Sequence, residues 1–314
     1  MRISEIIQDK ACEDVSADMI MHFGNPQDGV IEFPAKVEGG VVEVGYFFGS
    51  AKPKNIIDIS SQLGCLSRCS FCEVGQERFG RNLTANEIYE QAVLMLQIAS
   101  LSGVDIDSIK HKVSIAKTGE PLFNPSLTSA LEKLATLPVS FKISTIFPDS
   151  KQSKENYDHI VEFASDYSEP VQLQVSLIST SEDYRKSTAG INVVGFNDLR
   201  EAGELWRNKV PNPRKVNLSL ILTEQVPCSV KDVRGFFPSD LFRFRFRPYV
   251  PTDNGTKNSL SKISLARFDQ IKDEFQQAGY DVGEWATPTP TEQRFGLAAN
   301  VTRRRYLNML HGKI

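Results

Sequence analysis

Two hydrophobic periods alternate along the chain. Short runs rich in β-branched and aromatic residues are separated by longer stretches in which apolar positions return every third or fourth residue. Asn55 to Ser61 reads as a strand. Thr84 then caps a helix running to Ser102, with Glu87 three residues on completing a capping box. The alternation continues with Lys112 to Ala116 (strand), Pro125 to Leu137 (helix), Ser140 to Thr145 (strand), Ser153 to Ser165 (helix), Val171 to Ile178 (strand) and Gly195 to Asn208 (helix). Lys215 to Leu222 and Phe242 to Pro248 are further strands, followed by a weak helix near Val230 to Phe236 and a firmer one at Ser264 to Ala278. Six strand–helix pairs in register predict a parallel sheet with right-handed crossovers. The fold class is α/β, a partial (β/α)6 barrel of TIM type. Ahead of it, Val30 to Phe33 and Val41 to Phe47 flank the turn signal Glu38-Gly39-Gly40, a short β-hairpin. Residues 1–54 are therefore expected as an N-terminal appendage, 55–286 as the barrel, and 287–314 as a tail that begins rich in Pro and Thr. In such a barrel the active residues sit on the loops that follow the strands.

Composition narrows the class. The chain has 314 residues and is 40% hydrophobic, enough for a sizeable core and too apolar for disorder. A net charge of -3 with both signs interspersed gives no bulk field for a nucleic acid, so an RNA substrate would need a local basic patch. Met1 to Gln27 has no apolar core of signal-peptide type, and no run approaches the roughly 20 apolar residues of a membrane helix. The expectation is a soluble, cytoplasmic protein. Five cysteines, three of them within eight positions, suit a metal site better than a disulfide framework.

That group is Cys65-Leu-Ser-Arg-Cys69-Ser-Phe-Cys72, placed directly after the first barrel strand and so at the catalytic face. Thiolates are the soft ligands of iron–sulfur clusters. Three ligands for four irons leave one iron open to chelation by an amine and a carboxylate. Zinc would want a fourth ligand, and only Cys12, Cys228 and four scattered histidines remain to supply it.

The spacing resembles the signature of the radical S-adenosylmethionine superfamily. Wider stretches are similar to one branch of it, the RNA adenine methyltransferases acting at C2 and their C8-methylating resistance relatives. These are Ser60-Ser61-Gln62-Leu63-Gly64-Cys65, Gly75 to Thr84, and Gly119-Glu120-Pro121-Leu122-Phe123-Asn124, colinear from Val41 to Tyr280. The resemblance implies a [4Fe–4S] cluster on Cys65, Cys69 and Cys72, and S-adenosylmethionine with its amino-acid end at Gly119 and Glu120. It implies contacts to the cofactor's sugar and carboxylate from Ser144 and Ser176, and a low-potential reductant of flavodoxin or ferredoxin type. The branch has an asparagine at the sixth strand; Val250 stands there, so its contact to the adenosine is expected to be lost or to move, with Asn254 the candidate to take it. Read without the resemblance, Glu120 is a solvated residue at a helix start, and either serine satisfies a nearby backbone group.

Departures from that branch are as informative. Its members carry a cysteine seven residues before the first cluster ligand, where Asp58 stands, and a methyl-carrying cysteine near the C-terminus, where Arg294 to Asn300 has none. A carboxylate cannot do the thiolate's nucleophilic work. Cys12 and Cys228 read as small buried hydrophobes. The branch's larger N-terminal domain corresponds here to the short hairpin. Asp58 reads as a strand-end carboxylate bonded to a neighbouring loop, or else as a proton acceptor or substrate clamp. Phe242-Arg243-Phe244-Arg245-Phe246-Arg247 puts three rings on one face of a strand and three guanidinium groups on the other. The match at Val250 directs the even positions inward, which sends Arg243, Arg245 and Arg247 outward to pair with surface acids. The opposite orientation would make them an anion site for substrate. Arg303-Arg304-Arg305 reads as a solvated helix face. The leading expectation is a radical modification of a small, phosphorylated or nucleoside-like metabolite, with a small molecule preferred to RNA as partner. The alternative is an RNA- or peptide-modifying enzyme. A cluster that only senses iron or redox state would not need the Gly119-Glu120-Pro121 block.

Overall fold

The computed structural model describes residues 2–8, 10–18, 21–49, 55–284 and 301–312. Thirteen strands occur among them: β1 (Ser16–Ala17), β2 (Phe23–Asn25), β3 (Val30–Val37), β4 (Gly40–Phe47), β5 (Ile56–Ile59), β6 (Gln62–Leu63), β7 (Arg81–Asn82), β8 (His111–Ile115), β9 (Val139–Thr145), β10 (Val171–Ser176), β11 (Val216–Leu222), β12 (Phe242–Pro248) and β13 (Val282–Glu284). The main sheet runs β1-β3-β4-β5-β8-β9-β10-β11-β12-β13, with β2 also on β3. From β5 onward every neighbouring pair is parallel. The six expected strands are present in chain order, and β13 adds a seventh at the far edge. On the other edge β4 pairs antiparallel with β5, placing Gly45 opposite Asp58. The N-terminal hairpin thus continues the barrel sheet.

The helices are α1 (Ile3–Ile7), α2 (Ala85–Leu101), α3 (Leu127–Leu134), α4 (Lys151–Asp166), α5 (Glu182–Ala189), α6 (Phe196–Lys209), α7 (Val230–Val233), α8 (Asp253–Lys257), α9 (Leu265–Gln277) and α10 (Thr302–Leu310). The capping box at α2 forms as its sequence dictates. Thr84 Oγ1 accepts from Glu87 N at 3.1 Å and Glu87 Oε2 accepts from Thr84 N at 2.8 Å. Four helices escape the periodicity. α1, α5, α8 and α10 are short or strongly polar, so no apolar stripe announces them.

Alternation along the strands decides what the barrel encloses. On β9, Val139, Phe141, Ile143 and Thr145 are buried while Ser140, Lys142 and Ser144 take the other face. On β12, Phe242, Phe244 and Phe246 are fully buried. Their rings lie 5.1 Å from Phe237 and 4.6 and 5.0 Å from Phe275, on the helical side. The expected orientation of this strand is therefore reversed, and Arg243, Arg245 and Arg247 face the barrel interior. The helix-covered side is the drier one, and each ring buried there contributes roughly 1.5–3 kcal/mol. A guanidinium group on that side would have to shed its hydration instead.

Candidate active site

Two signature loops interlock at the carboxyl ends of β5 and β8. Ser61 N and Gln62 N both donate to Thr118 O, at 2.8 and 3.2 Å. Glu120 N donates to Gln62 Oε1 at 2.9 Å, and Asn124 Nδ2 reaches Ser61 O at 2.8 Å. Gly119 sits where they meet, with φ of +111°. A Cβ there would lie 2.6 Å from Ser61 Oγ and 2.7 Å from Gln62 N. Only glycine allows this close approach.

Glu120 is buried, not solvated. Its Oε1 accepts from Thr145 Oγ1 at 2.5 Å and Leu122 N at 3.1 Å, and its Oε2 accepts from Ile146 N at 2.9 Å. It thereby caps a 3-10 turn at Pro121–Phe123 and ties it to the end of β9. Burial pushes its pKa up to about 7 against these hydrogen bonds, which pull it down.

The cysteine loop follows β6. Burial is the main cause raising all three thiols, Cys65 to about 12, and each also feels the charge of a neighbour. For both Cys65 and Cys69 those neighbours include Cys72 and Glu120. Three neighbouring thiols that resist ionisation become stable as thiolates when cationic metal joins them, so the donor set fits an iron–sulfur cluster. Among the described residues, no three His, Cys, Asp or Glu side chains close around one metal ion. A mononuclear zinc site needs that convergence, whereas a four-iron cluster binds each cysteine through a different iron.

Elements that the sequence reading missed hold this loop. From α8, Asn254 Nδ2 donates to Cys69 O at 3.1 Å and Cys72 O at 2.8 Å. Asn254 therefore supports the cluster loop. Thr252 Oγ1 donates to Phe71 O at 3.2 Å. From α5, Thr188 O accepts from Ser70 N at 3.0 Å, and Ala189 O accepts from Cys69 Sγ at 3.7 Å. Gly75 packs so closely that a Cβ would lie 2.4 Å from Cys69 O. From α10, Arg303 pairs with Glu77 and Arg304 with Glu73 and Asp253. The basic triplet is thus not a solvated face: two of its three arginines clamp the stretch that follows Cys72. Acids spaced to meet them, Glu73 and Glu77, were visible in the sequence, but nothing local connected residues more than 220 positions apart.

A cavity of about 160 Å³ opens beside Phe71, the residue before Cys72. Ser144, Gln174, Ser176, Ser219 and Arg247 line it from four adjacent strands. Gln174 Nε2 donates to Ser144 Oγ at 3.2 Å. Asp58 faces the interior from β5, and its buried Oδ1 has no hydrogen-bond partner. Its charge reaches Lys117 and Lys142. Lys117 forms a buried ion pair with Glu32, which also accepts from Thr302 Oγ1 at 2.6 Å. Glu43, unremarked in the sequence beyond being a charge in an apolar run, is fully buried, and burial raises its pKa to about 7. Arg294 to Asn300, which lacks the methyl-carrying cysteine, lies outside the described residues.

No protein-family model matches the chain. Among curated proteins it is similar to the dual-specificity RNA methyltransferase RlmN of Francisella tularensis, 25% identical over 276 residues covering 81% of this chain and 68% of that protein. It is likewise 26% identical to the RlmN of Agrobacterium fabrum over 278 residues, covering 80% of this chain and 63% of the relative. Among solved structures, a radical SAM methyltransferase from Sphaerobacter thermophilus superposes with a TM-score of 0.68 at 18% identity, covering 90% of this chain and 80% of that one. SuiB of Streptococcus suis, bound to S-adenosylmethionine, gives 0.51 at 16% identity, with 76% and 54% covered. At such identities the structural likeness speaks for the fold alone. The relatives overturn the preference for a small molecule over RNA as partner. Net charge reports only the bulk field and is blind to what a particular surface binds. Cluster loop, cofactor block, sheet and relatives agree: this chain is a radical S-adenosylmethionine enzyme that works with a [4Fe–4S] cluster and S-adenosylmethionine, and it is similar to the RNA methyltransferase branch.

Proposed function

We propose that the chain modifies RNA by radical chemistry, without the two-cysteine methyl relay. The observation that carries the reading is the pairing of colinear RNA methyltransferase relatives with an interior carboxylate, Asp58, at the position of a catalytic thiol. Bound at Cys65, Cys69 and Cys72, the cluster supplies the electron that cleaves S-adenosylmethionine to methionine and a 5'-deoxyadenosyl radical. The protein's own groups do the rest. Gly119 lets the cofactor block pack against Ser61 and Gln62, just ahead of the cluster loop. Glu120 fixes the end of β9, and Ser144 and Ser176 offer hydroxyls to the cofactor within the cavity. The apolar wall at Phe71, Ile178 and Val226 keeps water from the radical's path. Asp58 is the residue placed to accept or hold a proton inside the barrel.

The remaining thiols support this reading. Cys12 donates to Glu90 O at 3.7 Å, on helix α2 and away from the cavity walls. Cys228 packs against the core two residues beyond Val226, which lines the cavity. The test is nucleoside analysis of RNA from cells with and without the gene, together with mass spectrometry of both cysteines after incubation with methyl-labelled cofactor. An RNA nucleoside lost from the deletion strain, with Cys12 and Cys228 unlabelled, supports the proposal. A methylated cysteine restores the thiol relay, and an unchanged RNA nucleoside profile removes the RNA substrate.

A further inference from the structure

We propose that Arg185 is a positioning residue for the iron–sulfur cluster: its buried charge stands behind Cys69, offsets the negative charge of the cluster and raises its reduction potential. The inference rests on the cluster held by Cys65, Cys69 and Cys72 and is independent of the RNA reading. It starts from burial. Arg185 is 1% exposed and is one of the largest fully buried side chains. Its Nη1 donates to Val194 O at 2.5 Å and its Nη2 to Ile146 O at 2.6 Å. Its Nε, also buried, has no hydrogen-bond partner. Among the described residues no carboxylate forms an ion pair with it. A buried guanidinium without such a partner is strongly unfavourable unless another anion compensates it.

Position identifies the anion. Arg185 lies on α5 one turn before Ala189, whose carbonyl accepts from Cys69 Sγ at 3.7 Å. Ile146, which takes one fork of the guanidinium, packs with Cys69 and Ala189 in a small apolar cluster. Ile146 and Ala189 therefore bridge Arg185 to the cysteine. Burial pulls the pKa of Arg185 down to about 10, and the charges of Glu182, Cys69 and Glu120 pull it up, so the group is cationic at neutral pH. Glu182 is partly exposed and already accepts from Phe196 N. Glu120 is already engaged by three donors. Cys69 gains its charge when metal binds, because the ligand is the thiolate. The C-terminal turn of α5 also faces the cysteine loop, with Thr188 O accepting from Ser70 N at 3.0 Å. That end of a helix carries partial negative charge, unfavourable beside an anionic cluster, and Arg185 opposes it. A cluster on three thiolates is an anion, and reduction adds one more negative charge. A fixed cation in this dry surrounding favours the reduced form over the oxidised one, which raises the potential.

The test is a redox titration of the reconstituted full chain, without S-adenosylmethionine, followed by the electron paramagnetic resonance signal of the reduced cluster. Arg185→Gln keeps a donor and loses the charge. It should lower the midpoint potential by about 59 mV or more, a tenfold shift in a one-electron equilibrium. Arg185→Lys, which keeps the charge, should stay closer to the wild-type midpoint. A glutamine variant that takes up no iron, beside a lysine variant that loads about four irons per chain, supports the proposal as well. Equal midpoints in all three proteins, an equal drop in both variants, or failure of the lysine variant to load iron overturns it and leaves Arg185 as a tie between two loops. About tenfold weaker binding of S-adenosylmethionine to Arg185→Gln with an unchanged midpoint also overturns it and assigns the guanidinium to the cofactor.

Discussion

Arg304 of the C-terminal helix forms an ion pair with Glu73, the residue next to the last cluster cysteine. Glu73 is 2% exposed, and its Oε1 also accepts from Gln76 Nε2 at 2.7 Å. The C-terminal helix is thereby part of the cluster loop's support. Arg304→Ala leaves that carboxylate buried with less compensation. The expected cost is about 1–3 kcal/mol, below that of a fully buried pair because Arg304 is itself partly exposed. Thermal melting and iron content after anaerobic reconstitution check it. A variant with unchanged stability and about four irons per chain would show the clamp to be dispensable.

Asn254 holds two carbonyls of the cluster loop, those of Cys69 and Cys72. Asn254→Ala should cost about 1–3 kcal/mol, since both bonds run through one amide nitrogen. The readout that separates this role from contact with the cofactor is cluster lifetime against cofactor affinity. Faster cluster loss with an unchanged dissociation constant for S-adenosylmethionine is the expected pattern. Weakened cofactor binding with a stable cluster would assign the side chain to the adenosine after all.

Burial pushes the Cys12 thiol up to about 11 and the Cys228 thiol up to about 12, with Glu90 adding to the first shift. Only the thiolate attacks an alkylating agent. Below the raised value each pH unit therefore multiplies the reactive fraction by about ten, so alkylation at both sites should keep rising past pH 9. In the folded state these groups also hold their protons longer than in the unfolded chain. Their contribution to stability is intact below the ordinary thiol value and is lost as pH climbs toward 11 and 12. Peptide mapping after iodoacetamide treatment at stepped pH tests this. A rate that levels off near pH 8 at Cys228 would mark an activated thiol and reopen its candidacy as a methyl carrier.

Local sequence determined the sheet, its strand order and the placing of the cluster loop. Each rests on interactions within a few residues. Period-two runs make strands, Thr84 and Glu87 cap one another, and a C-x3-C-x2-C loop must follow the strand that precedes it. The same holds for Gly119, whose block was legible because close backbone approach leaves glycine no substitute. What lay beyond reach was set by partners far along the chain. A strictly alternating Phe–Arg strand fits either orientation by itself, and only Phe237, in the loop after α7, and Phe275 on α9 made one side dry enough to take the rings. Glu120, expected at the cofactor's amino-acid end or else solvated, is buried because the end of β9 closes over it. Asn254 and Arg304 became supports of the cluster loop only once the barrel brought residues more than 180 positions apart within hydrogen-bond range. Such contacts form between side chains whose own segments are polar and short. The patterns that announce a helix or strand therefore carry no trace of them, and tertiary packing alone decides where they point.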